Sequence, residues 1–423
     1  MVLFKVELSK LPQGGVIVGK FRKSAASFVA GVMMVGGAVV ALSVSAPGAA
    51  GASGAKSPIK IGEVCACTGP LASGVQDIPA VYKAWVDSVN ASGGINGHKI
   101  DLIFEDDASN PATSVSEVHT LIQTDHVLAI ADETDNDLAW ASYAQQQNVP
   151  VIGVTTSTQP FYSNSGFYPE GQTEDSLFYG ITDAVKQAGG TKFALFYCAE
   201  AVQCQEGIAP LVAQAKTVGE SVVATLQVSA SAPNYTAQCL AAQQAGATVI
   251  FTADAQTVDE KIIQDCYAQG FKPKVVIDGE VLLPSFTTTA GINQATYFTV
   301  PNFPYFVNTP AIKAMNKTLN KYAPGVLKDV NYGELPVEAW ISGKMFQAAA
   351  QLGHLGANGK APTSAALTKG LDSFHGTTLG GLAPPLNFAA GKPHPVDCWY
   401  YALLKNGKYS TPLGLKPSCA PKS

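Results

Sequence analysis

Between Lys60 and Asp107 the chain runs strand, small-residue loop, helix, glycine stop, turn and second strand, and few folds accommodate that order. Lys60–Val64 is a short run rich in β-branched residues. Thr68-Gly69-Pro70-Leu71-Ala72-Ser73-Gly74 is a loop whose small residues let backbone amides approach whatever sits above the strand. Ile78, Val81, Tyr82, Trp85, Val86 and Val89 then fall on one face of a helix. Gly93-Gly94 ends it, because a residue with positive φ just past a helix is cheapest as glycine. Ile95-Asn96-Gly97 turns the chain, and Ile100, Leu102 and Phe104 alternate in a strand that ends in Glu105-Asp106-Asp107. This is a βαβ unit whose loop opens at the carboxyl end of a strand, where open α/β sheets bind ligands.

The rhythm continues. The spacing predicts a helix over Ser114–Gln123, a strand over Val127–Ala131, a helix over Leu138–Gln147 and a strand over Val149–Val154. A second series starts with a helix at Glu174, with strands at Lys192–Tyr197, Val222–Leu226, Thr248–Ala253 and Val275–Asp278 and helices between them. Phe298–Val300 reads as a return to the first lobe, and Pro384–Phe388 as the start of a last crossing. Cys398–Leu404 reads as a strand closed by the hairpin signal Asn406-Gly407. The expected fold is therefore α/β, with two doubly wound parallel-sheet lobes joined by a three-crossing hinge. Residues 56–174 with 301–385 would form the first lobe, and 175–300 with 386–423 the second.

Two stretches, IKIGEVCACTGPLASG and VNASGGINGHKIDLIFEDDASNP, resemble the amino-terminal signature of the type I periplasmic binding proteins. The closest group is the branched-chain amino acid and amide receptors of ABC transporters. The resemblance runs in order from about Ser57 to about Tyr409. It implies a monomeric receptor that closes on a small-molecule ligand and delivers it to an ABC transporter permease, with no covalent chemistry and no cofactor. It also points to site residues. The loop Asp132-Glu133-Thr134-Asp135-Asn136-Asp137 stands where such receptors carry carboxylate-binding serines, so Thr134, Asp135 and Asn136 are candidates. Ser157 and Thr158 match a second hydroxyl patch, Glu280 matches an acid set against a ligand amino group, and Asp254 follows a strand on a ligand-facing loop. A tyrosine usual in the family falls near Cys204 here and is lost. The amine end of the site would persist while the carboxylate end is altered. Trp140, Phe161, Tyr162 and Tyr168 near candidate cleft loops suggest an amphipathic or aromatic ligand. Asp135 or Asp137 could equally cap the following helix, and Asp106 and Asp107 read as turn and cap residues.

Charge narrows the partners. The chain carries a net charge of −5, but its first 52 residues hold five basic residues and one acid. Without them 22 basic residues face 31 acidic ones, a net charge of −9. That argues against nucleic acid, whose binding is dominated by Lys and Arg on phosphates. Arg22 is the only arginine, so the chain beyond it has no guanidinium to clamp a carboxylate bidentately. The motifs G-x-S-x-G and H-E-x-x-H are absent, and the six histidines (His98, His119, His126, His354, His375 and His394) read as solvated surface residues.

Lys20-Phe21-Arg22-Lys23, the apolar run Ala25–Val44 and the small-residue tail Ala46–Ala55 read as a secretory signal within a leader over residues 1–55. The rival is an uncleaved anchor holding the exported protein at the cell envelope. Eight cysteines in an exported chain suggest disulfides. Cys198 with Cys204, Cys239 with Cys266 and Cys398 with Cys419 are the natural pairs, leaving Cys65 and Cys67 as a tight structural pair or a redox site. Two other classes remain open on these residues. One is a sensory receptor using the same lobes; the other is a secreted thiol-redox protein built on Cys65 and Cys67, which requires free thiols.

Overall fold

A computed structural model describes residues 56–69, 72, 74–154, 156–200 and 202–421. The leader and signal segment expected over 1–55 lies outside the described residues. Among the described residues no helix is long and apolar enough to cross a membrane.

The first lobe starts with β1 (Ile59–Cys65), α1 (Ile78–Ala91), β2 (Ile100–Asp106), α2 (Pro111–Gln123) and β3 (Ala129–Glu133). It goes on through α3 (Ala141–Gln146), β4 (Val151–Gly153), α4 (Gln159–Ser163) and β5 (Phe167–Tyr168). Its five strands stand in the order β2-β1-β3-β4-β5, all parallel. The register sets Cys65 opposite both Asp106 and Glu133, so three strand ends meet at one edge.

The second lobe follows as α5 (Glu174–Gln187), β6 (Lys192–Cys198), α6 (Val202–Glu206), α7 (Ile208–Thr217) and β7 (Ser221–Val228). Then come α8 (Thr236–Gln244), β8 (Val249–Ala253), α9 (Gln256–Ala268), β9 (Lys274–Asp278) and β10 (Ala295–Val300). The chain adds α10 (Pro310–Tyr322), α11 (Glu334–Leu352) and α12 (Ser364–Leu371) to the first lobe, followed by the hairpin β11 (His375–Thr377) and β12 (Leu386–Asn387). It closes with β13 (Cys398–Lys405), β14 (Lys408–Ser410) and β15 (Ser418–Cys419). The second sheet runs β14-β13-β10-β9-β8-β6-β7, parallel from β10 to β7 and antiparallel at the β13 edge. Asn406 (φ 52°) and Gly407 (φ 70°) make the expected hairpin turn between β13 and β14.

Packing follows the patterns. The buried face of α1 includes Tyr82 and Trp85, which lie against α11. A Cβ on Gly343 of α11 would sit 2.5 Å from the Trp85 ring, so glycine in mid-helix is what admits the indole. Gly93 (φ 104°) and Gly94 (φ 78°) stop α1 as expected.

Two sequence expectations move. Phe298–Val300 does not return to the first lobe. It lies in β10, between β9 and β13, where Phe298 and Val300 are fully buried. Nor does the last crossing start at Pro384–Phe388. Phe388 packs on Tyr168 and Phe374, and His394 stacks on Tyr168 at 4.5 Å, so this stretch stays on the first lobe. The passage comes at Val396. There the hinge is stitched side by side: Gln172 N–H donates to Pro301 O (3.2 Å), Thr173 N–H to Val396 O (3.1 Å), and Val396 N–H to Thr173 Oγ1 (3.0 Å).

The histidines divide. His98 is buried, with Nδ1 2.7 Å from Ser57 O and Nε2 3.1 Å from Gly356 O, tying the turn after α1 to the end of α11. His394 is buried too, and burial lowers its pKa to about 4. These two are structural rather than solvated.

Candidate ligand-binding site

The carboxyl ends of β1, β3 and β4 face those of β6, β8 and β9 across a cleft of about 1150 Å³, counting its open mouth. The first lobe contributes Ala66, Val75, Glu133, Asp135, Ser157 and Leu335. Glu174 enters where α5 leaves the hinge. From the second lobe come Asp254, Gln256, Asp278 and Glu280. The two walls touch at Gly74, whose missing Cβ would lie 1.7 Å from Gln256 Nε2.

Six carboxyl groups thus line one cleft: Glu133, Asp135, Glu174, Asp254, Asp278 and Glu280. Among the described residues, no lysine, arginine or histidine lines the cleft. Burial, reinforced by neighbouring acids, raises Glu174, Glu133 and Glu280 well above the ordinary carboxylate range. The acids that raise Glu280 include Asp278, Asp135 and Glu174, so the group converges from both walls and the hinge. Burial lifts Asp254 to about 7; it lifts Asp278 to about 6, against the backbone N–H groups of Glu280 and Gly279. Behind Glu133, the fully buried Glu63 is raised to about 8, chiefly by burial. The two carboxyl groups face each other and have no further hydrogen-bond partner. That arrangement needs a proton on one of them.

The cleft has a second character. Beyond the acids it extends into the second lobe, between its sheet and α5 and α7. Leu177 and Ile181 of α5, Leu195 of β6, Leu211 of α7 and Phe251 of β8 wall this arm. Tyr197 and Cys198, at the end of β6, also line the cleft, as do Cys204 and Gly207. Gly207 separates α6 from α7.

Of the residues named from sequence, Asp135, Ser157, Asp254 and Glu280 lie in the lining. Thr134, Asn136 and Thr158 do not. Thr134 Oγ1 donates to Asp107 Oδ2 (2.6 Å), Asn136 Nδ2 donates to the same oxygen (3.0 Å), and Thr158 Oγ1 donates to Asp137 Oδ2. They brace the loops that carry Asp135 and Ser157. Asp107 is therefore more than a turn residue, and Asn110 caps α2 instead. The N-cap positions of the two short helical turns that follow are Asn136 and Trp140, and neither side chain makes a capping hydrogen bond.

The aromatic cluster is a correction. Trp140 is buried in the first-lobe core, donating Nε1–H to Ser114 Oγ (2.9 Å) and stacking on Phe167. Phe161 packs edge-on against Phe167, and Tyr168 donates to Asp372 Oδ1 (2.9 Å). Tyr162 is half-buried, and its pKa is pushed up to about 12 by burial and then by Glu174 and Asp175, but it lies outside the lining. Trp140, Phe161 and Tyr168 thus belong to the first-lobe core rather than to the cleft.

Sequence reasoning did not single out Glu133, Glu174 and Asp278 as lining residues, nor the apolar arm. Acids at strand ends look like turn residues, and the spacing of Leu177 and Ile181 in α5 is that of any core-facing helix. The cysteines are paired as Cys65–Cys67, Cys198–Cys204, Cys239–Cys266 and Cys398–Cys419, with no free thiol among the described residues. Cys65 and Cys67 flank the lining residue Ala66 as a closed pair rather than the free thiols a redox site requires.

The family model described as periplasmic binding protein matches residues 58–408. An amino acid binding protein from Pseudomonas aeruginosa is 22% identical over 211 residues, covering 48% of this chain and 56% of that protein. The match thus spans little more than half of that relative's length. Among solved structures, a branched-chain amino acid ABC transporter protein from Thermus thermophilus with bound valine superposes with a TM-score of 0.77. The identity is 13%, with 86% of this chain and 97% of that one covered. A fatty acid ABC transporter substrate-binding protein from Thermomonospora curvata gives a TM-score of 0.72 at 18% identity, covering 84% and 91%. At such identities the likeness is one of fold.

Proposed function

The chain belongs to the periplasmic binding protein family, and on that premise we propose that it is an exported receptor that closes two lobes on one small solute and delivers it to an ABC permease. It acts as a monomer and does no covalent chemistry. The solute carries a positively charged amine. One observation carries that reading: among the described residues six carboxyl groups line the cleft and no basic residue does. A cation entering there gains attraction from several acids in a site partly removed from water, where charges interact more strongly than in solution. An acidic solute would face carboxyl groups from both walls and the hinge, with no guanidinium to pair with it. The four cysteine pairs suit an oxidising compartment outside the cytoplasm.

A thermal-shift panel of amines, amides, amino acids and aromatic acids tests the reading. A ligand present at a hundred times its dissociation constant stabilises the folded state by roughly 2.7 kcal/mol. Amines are expected to raise the melting temperature, and Glu280→Gln is expected to reduce the shift. A panel in which only acids stabilise the protein would overturn the assignment.

A further inference from the structure

The two lobes fill one equivalent layer differently. In the first lobe, the space between the sheet and α1 and α11 is packed by Tyr82, Trp85 and Phe346, with successive ring centroids 5.4 and 5.9 Å apart. In the second lobe, the space between the sheet and α5 and α7 opens into the cleft, walled by Leu177, Ile181, Leu195, Leu211 and Phe251. An unfilled apolar cavity is costly and holds water poorly, so an apolar group of matching length is its natural occupant. The acidic group and this arm belong to one continuous space.

We propose that the solute is an amphipathic amine without a carboxylate, its ammonium set among Glu133, Asp254, Asp278 and Glu280 and its apolar tail lodged in the arm beneath α5 and α7. The inference rests on the receptor reading above and narrows it to a chemical class. The polarity of the cleft fixes the orientation, because the acids lie at one end and the arm offers mainly aliphatic and aromatic surface at the other. Diamines and polyamines are disfavoured, since a second ammonium in the arm would be buried without a partner. Fatty acids and aromatic acids are disfavoured at the head, where a carboxylate would face carboxylates. Amino acids carry both the accepted group and the rejected one.

Titration calorimetry on the purified protein with n-alkylamines from ethylamine to octylamine tests this directly. Affinity is expected to rise about fourfold per methylene until the arm is full. Octanoic acid is expected not to bind, and 1,8-diaminooctane to bind more weakly than octylamine. In Ile181→Phe, which narrows the arm, the ratio of octylamine to ethylamine affinity should collapse. Leu211→Phe offers an independent block if that variant does not fold. Ethylamine and octylamine binding equally well would overturn the tail assignment and leave the amine receptor standing. Silence from every amine would overturn both.

Discussion

Glu63 and Glu133 form a buried carboxyl pair directly behind the cleft, and that pair should write itself into the pH dependence of stability. Glu63 is raised from 4.5 to about 8 by burial. An acid whose pKa is higher in the folded state holds its proton more tightly there than when unfolded. Its contribution is complete below the unfolded value and is lost as pH rises through the folded one. The protein should therefore lose stability from about pH 5 to pH 8, and Glu63→Gln should flatten the curve in urea melts across that range. Parallel curves for the two proteins would contradict the assignment. The cleft acids act on binding in the opposite sense. Asp254 sits near 7 and Asp278 near 6, and a cation binds best when they are ionised. Amine affinity should fall as pH drops from 8 to 5, with protons released on binding, measurable by calorimetry in buffers of different ionisation enthalpy. Glu280 and Asp254 were legible in the sequence because the family resemblance fixed their positions. Trp140 was misread because proximity in sequence to a cleft loop does not tell which way a side chain on a short helix points.

The loop after β1 and the start of α9 meet across the cleft. Gly74 has φ 88° and leaves room for Gln256 Nε2 where a Cβ would be. Gly74→Ala carries a backbone cost of about 1 kcal/mol in either lobe arrangement, but the overlap with Gln256 arises only when the walls meet. Ligand affinity should drop by more than that cost alone implies, with a smaller change in the melting temperature of the unliganded protein. Equal losses in both would mean that the contact is not part of closure. On the far side of the second lobe, Cys239–Cys266 ties α8 to α9 across 27 residues. The chain-entropy account gives such a bridge about 3–4 kcal/mol, so Cys239→Ala with Cys266→Ala should lower the midpoint of chemical unfolding by a corresponding amount. The helices and strands themselves were readable from periodicity. The place of β10 was not, because Phe298–Val300 is equally apolar in either sheet and only its pairing with β9 and β13 decides.

Two sheets are joined by three adjacent passages at Gln172–Thr173, Pro301 and Val396, and in hinges of this kind a change at a few residues lets two lobes close without unfolding either. The two-lobe plan was plain from the alternation of strands and helices. The chemistry of the cleft was only half visible, because its apolar arm is built from residues that look like core in any sequence and are distinguished only by the space left between them. The measurement that bears most directly on the account is a calorimetric comparison of leucine with 3-methylbutylamine, which differ only in the carboxylate. With six acids and no basic residue lining the cleft among the described residues, the amine should bind about tenfold more tightly or better. Leucine binding as tightly as the amine, or more tightly, would mean that something in this cleft receives a carboxylate, and the amine assignment would fall.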